Sequence, residues 1–353
     1  MSDQIKVLVV DDSSLVRKII TDILESDPTI RVVGTANNGK TAIFKNKELN
    51  PDVITLDIEM PIMDGLSALK YIIETNPKPV IMLSVLTQHG AEATFKALEY
   101  GAVDFIPKPS SILSLSVAEI GSLLISKVKD VAKQKVNIQR SPQLRERQNH
   151  EEEQDRESVV PVRTHSTKII GIGTSTGGPS ALLQVFRGFP ANLPSPILVV
   201  QHMPEGFTRA FSERLDSLSK ISVKEAEDGD NLQPGSAYIA PGHSHIVVEK
   251  SKVRDVIRVS KGEKVSGHRP SIDVLFNSLA ENYADNTVAV IMTGMGKDGA
   301  EGILKIKEKG GYTIAQDERT SVVYGMNRVA VQYGAISEIV PLLEISKKIV
   351  EHI

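Results

Sequence analysis

Cysteine is absent from the 353-residue sequence, and this absence restricts the chemistry that the chain can perform. It excludes disulfide bridges, thiolate nucleophiles and zinc sites with cysteine ligands, so a nucleophile must carry oxygen or nitrogen. No apolar run is long enough to cross a bilayer, and acidic residues stand near the N-terminus where a secretory signal would be basic. We therefore expect a cytoplasmic protein without membrane insertion.

An excess of positive charge is also missing. The formal net charge is −3, and acidic and basic side chains balance in the second half of the chain. A surface that binds nucleic acid would show clustered Lys and Arg residues. A DNA-binding output domain with a basic recognition helix is therefore disfavoured, and we expect no nucleic-acid partner.

Two series of alternating strands and helices predict two α/β domains. In residues 1–110, five Val- and Ile-rich runs alternate with amphipathic segments, which is typical of a parallel sheet covered by helices. Residues 111–165 are predicted to form a helix, at 111–136, followed by a charged flexible linker. Residues 166–353 contain the candidate strands TKIIGIG, PILVVQH, SAYIAP, HIVVEK, NTVAVIMTGMG and GGYTIAQ, which predict a second doubly wound, mainly parallel sheet.

Polar side chains stand where the strands of the first series end. Asp11 and Asp12 follow the first strand, Asp57 ends the third, Ser84 ends the fourth and Lys108 follows the fifth. In a sheet of order 2-1-3-4-5, strands one and three are neighbours, so the three carboxylates converge. Single acidic residues at strand ends are common in polar loops. The combination predicts a Mg²⁺ site that relieves carboxylate repulsion, with Lys108 and Ser84 able to meet a phosphoryl group.

The motifs LVVDDSS, LDIEMPIMDG and VDFIPKP, in this order and spacing, resemble the receiver domain of two-component response regulators. The resemblance implies a flavodoxin-like fold with a five-stranded parallel sheet of order 2-1-3-4-5. It also implies a cis peptide bond before Pro109 and a histidine kinase as phosphodonor. The roles it implies are phosphoacceptor for Asp57, Mg²⁺ ligands for Asp11, Asp12 and Asp57, and phosphate sensing for Ser84 and Lys108.

A glycine-rich motif follows the first strand of the second series. In GTSTG, Ser175 stands between Gly173 and Gly177 at a strand-to-helix turn, which is typical of a nucleophile elbow near helix N–H groups that can bind an oxyanion. Gly171, Gly173 and Gly177 also give G-x-G-x-x-x-G, which competes as a dinucleotide-binding loop. That spacing is one residue longer than the dinucleotide fingerprint, and the next strand ends in VVQHMP without the expected acidic residue. The serine interpretation is therefore favoured.

A serine nucleophile needs a base, and the base needs an acid that holds its tautomer. His202 ends the strand PILVVQH, and Asp298 follows the strand VAVIMTGMG. Both would lie with Ser175 at the carboxyl edge of one sheet. This chain order differs from the Ser, Asp, His order of α/β-hydrolases, so the site must be argued from geometry.

Other histidines compete for a role. His243 and His245 stand two apart on a candidate strand and would face one side, but no third metal ligand is identifiable, so turn-adjacent surface positions are favoured for one or both. His268 lies in GHRPS and is expected to enter a helix before Pro270. The remaining histidines have no partner that the sequence identifies, and we expect them in solvent: His89, His150, His165 and His352.

Five ordered motifs, GTSTGGP, QHMPEGFTRAFSERL, YIAPG, HRPSIDVLF and TGMGKDGA, resemble the catalytic domain of the chemotaxis protein-glutamate methylesterase and glutaminase family. The resemblance covers residues 168–340. It implies that Ser175 is the nucleophile, that His202 is the general base and acid, and that Asp298 orients the histidine. No cofactor is expected in this domain.

The same resemblance extends to the neighbours of the serine. Thr176 and Met295 match positions that shape the site around the imidazole and the oxyanion, whereas Thr174 stands where many members have alanine. The implied substrates are methylated glutamates, and also glutamines, of chemoreceptors. The implied control is activation by phosphorylation of the receiver, with a chemotaxis histidine kinase as phosphodonor. We expect a monomer. A receiver joined to a non-catalytic binding module stays open as an alternative.

Overall fold

The structure is a computed structural model that describes residues 4–85, 88–108, 117–133, 168–251 and 254–353. The chain divides into two compact units, Met1–Arg156 and Glu157–Ile353. Among the described residues, no helix is both long enough and apolar enough to cross a membrane. The predicted charged linker and the bond before Pro109 lie outside the described residues.

The first unit contains a five-stranded parallel sheet in the predicted order, β2-β1-β3-β4-β5. Its strands are β1 Ile5–Val10, β2 Ile30–Ala36, β3 Val53–Asp57, β4 Val80–Ser84 and β5 Asp104–Pro107. Its helices are α1 Ser14–Glu25, α2 Gly39–Leu49, α3 Gly65–Thr75, α4 Gln88–Glu99 and α5 Val117–Lys133. Strands β3 and β4 are buried along their whole length, as expected when helices cover both faces of a parallel sheet.

Side chains at the helix ends fix the loops around the carboxyl edge of this sheet. Ser13 and Asp64 cap α1 and α3 by accepting backbone N–H groups three residues later. These caps follow the segments that hold the predicted acidic residues. Farther along, a buried ion pair between Asp104 of β5 and Lys127 of α5 fastens the last helix to the sheet.

The second unit contains a seven-stranded sheet in the order β14-β13-β12-β6-β7-β9-β8, in which every pairing is parallel. Its strands are β6 Ile169–Thr174, β7 Ile197–Gln201, β8 Ser222–Glu225, β9 Ser236–Ile239, β12 Thr287–Ile291, β13 Tyr312–Gln316 and β14 Glu338–Val340. Its helices are α6 Gly178–Arg187, α7 Phe207–Leu218, α8 Ile272–Asn282, α9 Ala300–Glu308, α10 Met326–Gln332 and α11 Ile345–Glu351, with 3₁₀ turns at Ala284–Asn286 and Leu342–Glu344.

A separate antiparallel hairpin consists of β10 His245–Glu249 and β11 Val256–Ser260. The expectation that HIVVEK belongs to the main sheet is therefore wrong. The hairpin packs on α8 instead, where Val248 N donates to Ser278 Oγ at 2.8 Å. Its apolar side chains join the core that α8 covers. Strands β8, β11 and β14 were not predicted, because they are short and alternate polar with apolar residues.

Strand β6 and helix α8 approach each other closely. A Cβ on Gly173 would lie 2.3 Å from Ile272 Cγ2, and one on Gly171 would lie 2.5 Å from Leu279 Cδ1. The glycines therefore have a packing role that needs no dinucleotide. Because neither glycine has a side chain, the N-terminus of α8 can lie against the carboxyl end of β6.

Candidate active site and acidic cluster

Ser175 lies on the tight turn between β6 and α6. Its backbone N–H donates to Thr293 O at 3.0 Å, which continues the pairing of β6 with β12. Gly177 adopts a φ of +77°, in the left-handed region, and a Cβ there would lie 2.4 Å from Val322 Cβ. Glycine is therefore required at this turn. Only 9% of Ser175 is exposed, so its hydroxyl is presented within a mostly enclosed site.

His202 and Asp298 form a chain of hydrogen bonds with Ser175. His202 Nδ1 lies 3.2 Å from Ser175 Oγ, and His202 Nε2 lies 2.8 Å from Asp298 Oδ2. A carboxylate accepts hydrogen bonds but cannot donate, so Asp298 keeps the imidazole proton on Nε2. The lone pair of Nδ1 then faces Ser175. In this tautomer the imidazole is able to accept the proton of the serine hydroxyl.

Asp298 is anchored at the first turn of α8. Its carboxylate accepts hydrogen bonds from Ser271 Oγ at 2.8 Å, Ile272 N at 2.7 Å and Asp273 N at 3.1 Å. Burial raises the pKa of Asp298, but hydrogen bonding to His202 and to these donors outweighs burial and lowers the pKa to about 2. Asp298 is therefore ionised at neutral pH and fixed in direction.

Two threonines flank Ser175 and bind the same neighbouring loop. Thr174 is fully buried, and its hydroxyl donates to Thr293 O at 3.0 Å. The carbonyl of Thr176 accepts from Thr293 Oγ1 at 2.9 Å. The backbone N–H of Thr176 has no acceptor among the described residues, and it stands just before the start of α6. This N–H is available to a ligand at the serine.

Met295 follows a residue that touches the serine. A Cβ on Gly294 would lie 2.7 Å from Ser175 Cβ and 2.6 Å from Met326 Cε, so the loop after β12 runs directly against Ser175. Met295 itself is 38% exposed beside this contact. The structure thus gathers the sequence-predicted residues of the second domain at one edge of the sheet.

Two further residues of this site were missed from the sequence. His268 stacks on His202, with ring centroids 3.8 Å apart and an interplanar angle of 8°. The expectation that His268 only precedes a helix is therefore wrong. Ser271 both caps α8, by accepting from Val274 N, and donates to Asp298. The sequence SIDVLF carries the signal of a helix N-cap, whereas nothing local indicates the stacking of His268.

In the first unit, Asp11, Asp57 and Lys108 meet at the carboxyl edge of the sheet. Lys108 Nζ lies 2.7 Å from Asp57 Oδ2 and 2.8 Å from Asp11 Oδ2. Burial raises the pKa of Asp57 to about 6 and outweighs the opposing effect of Lys108. Burial lowers the pKa of Lys108, but hydrogen bonds to Asp11 and Asp57 outweigh it and raise that pKa. One cation thus balances two buried carboxylates.

The same edge offers ligands for a divalent cation. Asp11, Asp12 and Asp57 each place a carboxylate oxygen within 4.8 Å of the others. Oδ2 of Asp11 and Oδ2 of Asp57 are buried, and no hydrogen-bond donor other than the Lys108 ammonium meets them among the described residues. Asp12 is exposed. Oxygen ligands with an open, hydrated side fit Mg²⁺, which retains several waters in protein sites.

Ser84 ends β4 as predicted, but its hydroxyl contacts α4. Ser84 Oγ accepts a hydrogen bond from Thr94 Oγ1 at 2.6 Å, and the serine is 1% exposed. No hydrogen bond joins Ser84 to Asp57 in the part of the chain that the structure describes. The structure therefore brings Lys108 to the acidic cluster, whereas the hydroxyl of Ser84 would have to leave Thr94 to meet a phosphoryl group.

Comparisons with known proteins match both halves of the chain. The family profile described as CheB methylesterase matches residues 170–349, and the profile described as response regulator receiver domain matches residues 7–118. This chain belongs to the CheB methylesterase family. The protein-glutamate methylesterase/protein-glutamine glutaminase of Pyrococcus horikoshii is 48% identical over 99% of this chain and 94% of its own. The relative of the same description from Halalkalibacterium halodurans is 48% identical over 99% of both chains.

A solved structure supports the fold of the CheB half. The crystal structure of the Thermotoga maritima CheB methylesterase catalytic domain matches with 44% identity and a TM-score of 0.52. The match covers 53% of this chain and 100% of that domain. The domain boundaries at residues 110 and 165 stay a prediction.

In this CheB family member, the other histidines have different surroundings. His245 is 3% exposed and is not a surface group: its Nδ1 accepts from Ser271 N at 3.1 Å, and its Nε2 donates to a backbone carbonyl. His352 stacks on Tyr312 with ring centroids 3.6 Å apart, so solvent is not its main neighbour. His243 is part-exposed, 3.9 Å from a glutamate oxygen, as a surface group would be. The side chain of His89, and all of His150 and His165, lie outside the described residues.

Proposed function

We propose that this chain is a protein-glutamate methylesterase that also deamidates glutamine, and that it acts on chemoreceptors in bacterial chemotaxis. The observation that carries the proposal is the hydrogen-bonded chain of Ser175, His202 and Asp298 at the carboxyl edge of the sheet. The full-length likeness to proteins named for both activities supports the substrate class. Serine hydrolases with many different substrates use such a chain, so the substrate rests on the relatives and the chemistry on the geometry.

In the first half-reaction, Ser175 Oγ attacks the ester carbonyl carbon and gives its proton to His202 Nδ1. Asp298 stabilises the imidazolium through its hydrogen bond to Nε2. The tetrahedral intermediate then expels the methoxide oxygen, which takes the proton from Nδ1 and leaves as methanol. An acyl-enzyme ester on Ser175 remains.

In the second half-reaction, water attacks the acyl carbon while His202 Nδ1 accepts one of its protons. The intermediate expels Ser175 Oγ, which takes that proton back, and a glutamate carboxyl group is released. With glutamine as substrate, His202 protonates the leaving ammonia in the same way. The backbone N–H of Thr176 is our candidate donor to the oxyanion, and the loop of Met295 shapes the opposite side.

The receiver controls the hydrolase in this proposal. Asp57 accepts a phosphoryl group from a histidine kinase: a carboxylate oxygen forms a bond to phosphorus as the bond from phosphorus to the donor nitrogen breaks. Asp11, Asp12 and Asp57 would hold Mg²⁺, which supplies positive charge to the phosphoryl oxygens. Lys108 adds its own charge to that site, and Ser84 turns from Thr94 to the phosphoryl oxygens. A tenfold activation requires only about 1.4 kcal/mol of coupling between the domains.

Methanol release from methylated receptor membranes tests both parts. We expect release by the wild-type chain, stimulation by acetyl phosphate with Mg²⁺, and loss of release in Ser175→Ala. Asp57→Ala should retain basal release and lose the stimulation. Ser217→Ala, which replaces an exposed serine on α7, is the matched control and should release methanol at the wild-type rate. A folded wild-type chain that releases no methanol under either condition contradicts the proposal and favours a binding module.

A further inference from the structure

Residues 261–271, which connect β11 to α8, deliver His268 to the candidate active site. We call this segment the strap. Within it, Val265 and His268 exchange two backbone hydrogen bonds of 2.9 and 3.0 Å. The two residues between them, Ser266 and Gly267, have φ values of 53° and 82°, as a tight two-residue hairpin turn with both central residues left-handed requires. The hairpin therefore gives the His268 side chain a defined direction.

The rings of His268 and His202 are parallel. Their centroids are 3.8 Å apart, and the planes differ by 8°. In a parallel stack, ring nitrogens point along the ring planes and past the other ring, so the two imidazoles exchange neither a hydrogen bond nor a proton. The His268 face restricts rotation of the His202 ring. It leaves both nitrogens of His202 to Ser175 and Asp298.

His268 is neutral at physiological pH. Its pKa is lowered to about 4, mainly by burial; His202 and Lys264 act in the same direction, and Asp298 opposes them. A neutral ring adds no repulsion when His202 takes the serine proton. Its π face also attracts the imidazolium that forms in that step.

A second buried histidine fastens both ends of the strap. His245 Nε2 donates to Glu263 O at 2.8 Å, and His245 Nδ1 accepts from Ser271 N at 3.1 Å. Ser271 Oγ in turn donates to Asp298 Oδ1 at 2.8 Å. One buried imidazole therefore links Glu263, near the start of the strap, to Ser271 at its end, and Ser271 is the residue that anchors Asp298.

We propose that His268 is a positioning residue whose ring, held by the strap, keeps the imidazole of His202 aligned between Ser175 and Asp298 in both half-reactions. This inference rests on the function proposed above and assigns a further residue to it. Without the His268 face, the His202 ring is free to rotate out of line. The chemical steps then slow, whereas substrate binding, which does not depend on that alignment, is unchanged.

Two substitutions separate the ring face from its nitrogens. In the full chain activated by acetyl phosphate and Mg²⁺, we expect His268→Ala to lower kcat for methanol release about 10- to 100-fold, with KM within about twofold of wild type. His268→Phe keeps a planar face and no ring nitrogen, and should retain kcat within about threefold.

His352→Ala is the matched control, because His352 stacks on Tyr312 at 3.6 Å in the same manner but outside the catalytic cluster. It should leave kcat and KM unchanged. Wild-type kinetics in His268→Ala overturn the proposal. Equal impairment in His268→Phe and His268→Ala also overturns it, since the nitrogens would then matter and the face would not. If His268→Ala does not fold, His268→Leu removes the planar face while filling the volume, and the same criteria apply.

The rate at which a fluorophosphonate phosphonylates Ser175, with fluoride as the leaving group, separates this proposal from the proposed function. No labelling of wild type contradicts the hydrolase itself. Equal labelling rates in wild type and His268→Ala contradict the positioning role of His268 but not the hydrolase. Slower labelling in His268→Ala, restored in His268→Phe, supports it.

Discussion

Asp298→Asn tests how the carboxylate determines the tautomer of His202. The Asp298 carboxylate accepts hydrogen bonds from four donors, which belong to His202, Ser271, Ile272 and Asp273. An asparagine amide has one oxygen, and its NH₂ group must face the donors on the other side. If that group faces His202, the imidazole accepts at Nε2 and carries its proton on Nδ1, toward the serine. The base is then lost.

The alternative orientation of the amide is also unfavourable. With its oxygen toward His202, the NH₂ group of the asparagine meets the backbone N–H of Asp273, which cannot accept a hydrogen bond. In both orientations the negative charge that stabilises the imidazolium is missing. We expect kcat to fall about 10³- to 10⁴-fold, or roughly 4 to 5.5 kcal/mol in the activation free energy, with little change in KM.

Methanol release from methylated receptor membranes at saturating substrate measures this loss. Asp285→Asn is the matched control, because it makes the same substitution at an exposed aspartate of the second unit, on the 3₁₀ turn Ala284–Asn286. It should retain most of kcat. A kcat of Asp298→Asn within tenfold of wild type would refute the tautomer argument.

Acid stability provides an independent check on Asp298. Its pKa is lowered from 3.8 to about 2 in the folded chain. The group therefore contributes stability above about pH 4, roughly 2 kcal/mol, which is lost as the pH falls toward 2. Asp298→Asn should remove this part of the acid transition in urea unfolding followed between pH 5 and 2. An unchanged acid transition would mean that Asp298 is not held as an ionised group.

Three further predictions concern the fold and the acidic cluster. Mg²⁺ at about 100 times its Kd should stabilise the receiver by roughly 2 to 3 kcal/mol in calorimetry, and Asp57→Asn should weaken that effect. Gly173→Ala should destabilise the second unit by about 1 to 3 kcal/mol and lower kcat, because its Cβ would lie 2.3 Å from Ile272 Cγ2. Lys127→Met should cost the receiver about 3 to 5 kcal/mol by leaving Asp104 buried and unpaired, and Asp104→Asn added to it should recover most of that loss.

The residues at strand ends could be predicted because the rule behind them is topological. In a parallel sheet the carboxyl ends of all strands lie at one edge. Ser175 after β6 and His202 after β7 therefore lie close together simply because β6 and β7 are parallel strands. The same rule explains the approach of Asp11 to Asp57 across β1 and β3. No knowledge of side-chain contacts is needed for this step.

The layer of side chains around His202 could not be predicted in that way. His245 and His268 belong to an antiparallel hairpin and to the strap that follows it, and neither is part of the parallel sheet. Their contacts depend on how the hairpin packs against α8, which is a long-range property of the fold. A histidine in a mixed polar sequence such as SGHRPS carries no local sign that its ring will cover another ring.

The strand order finally accounts for Gly294, the first glycine of TGMGKDG. Strand β6 lies between β12 and β7, so the serine strand separates the acid from the base. The loop after β12 must therefore pass the end of β6 for Asp298 to reach His202. At the closest point of this path, a Cβ on Gly294 would lie only 2.7 Å from Ser175 Cβ. A glycine is needed there because the chain order Ser, His, Asp, combined with this sheet order, forces the acid loop over the nucleophile. This requirement follows only when both the chain order and the strand order of the sheet are known. The sequence alone contains only the chain order.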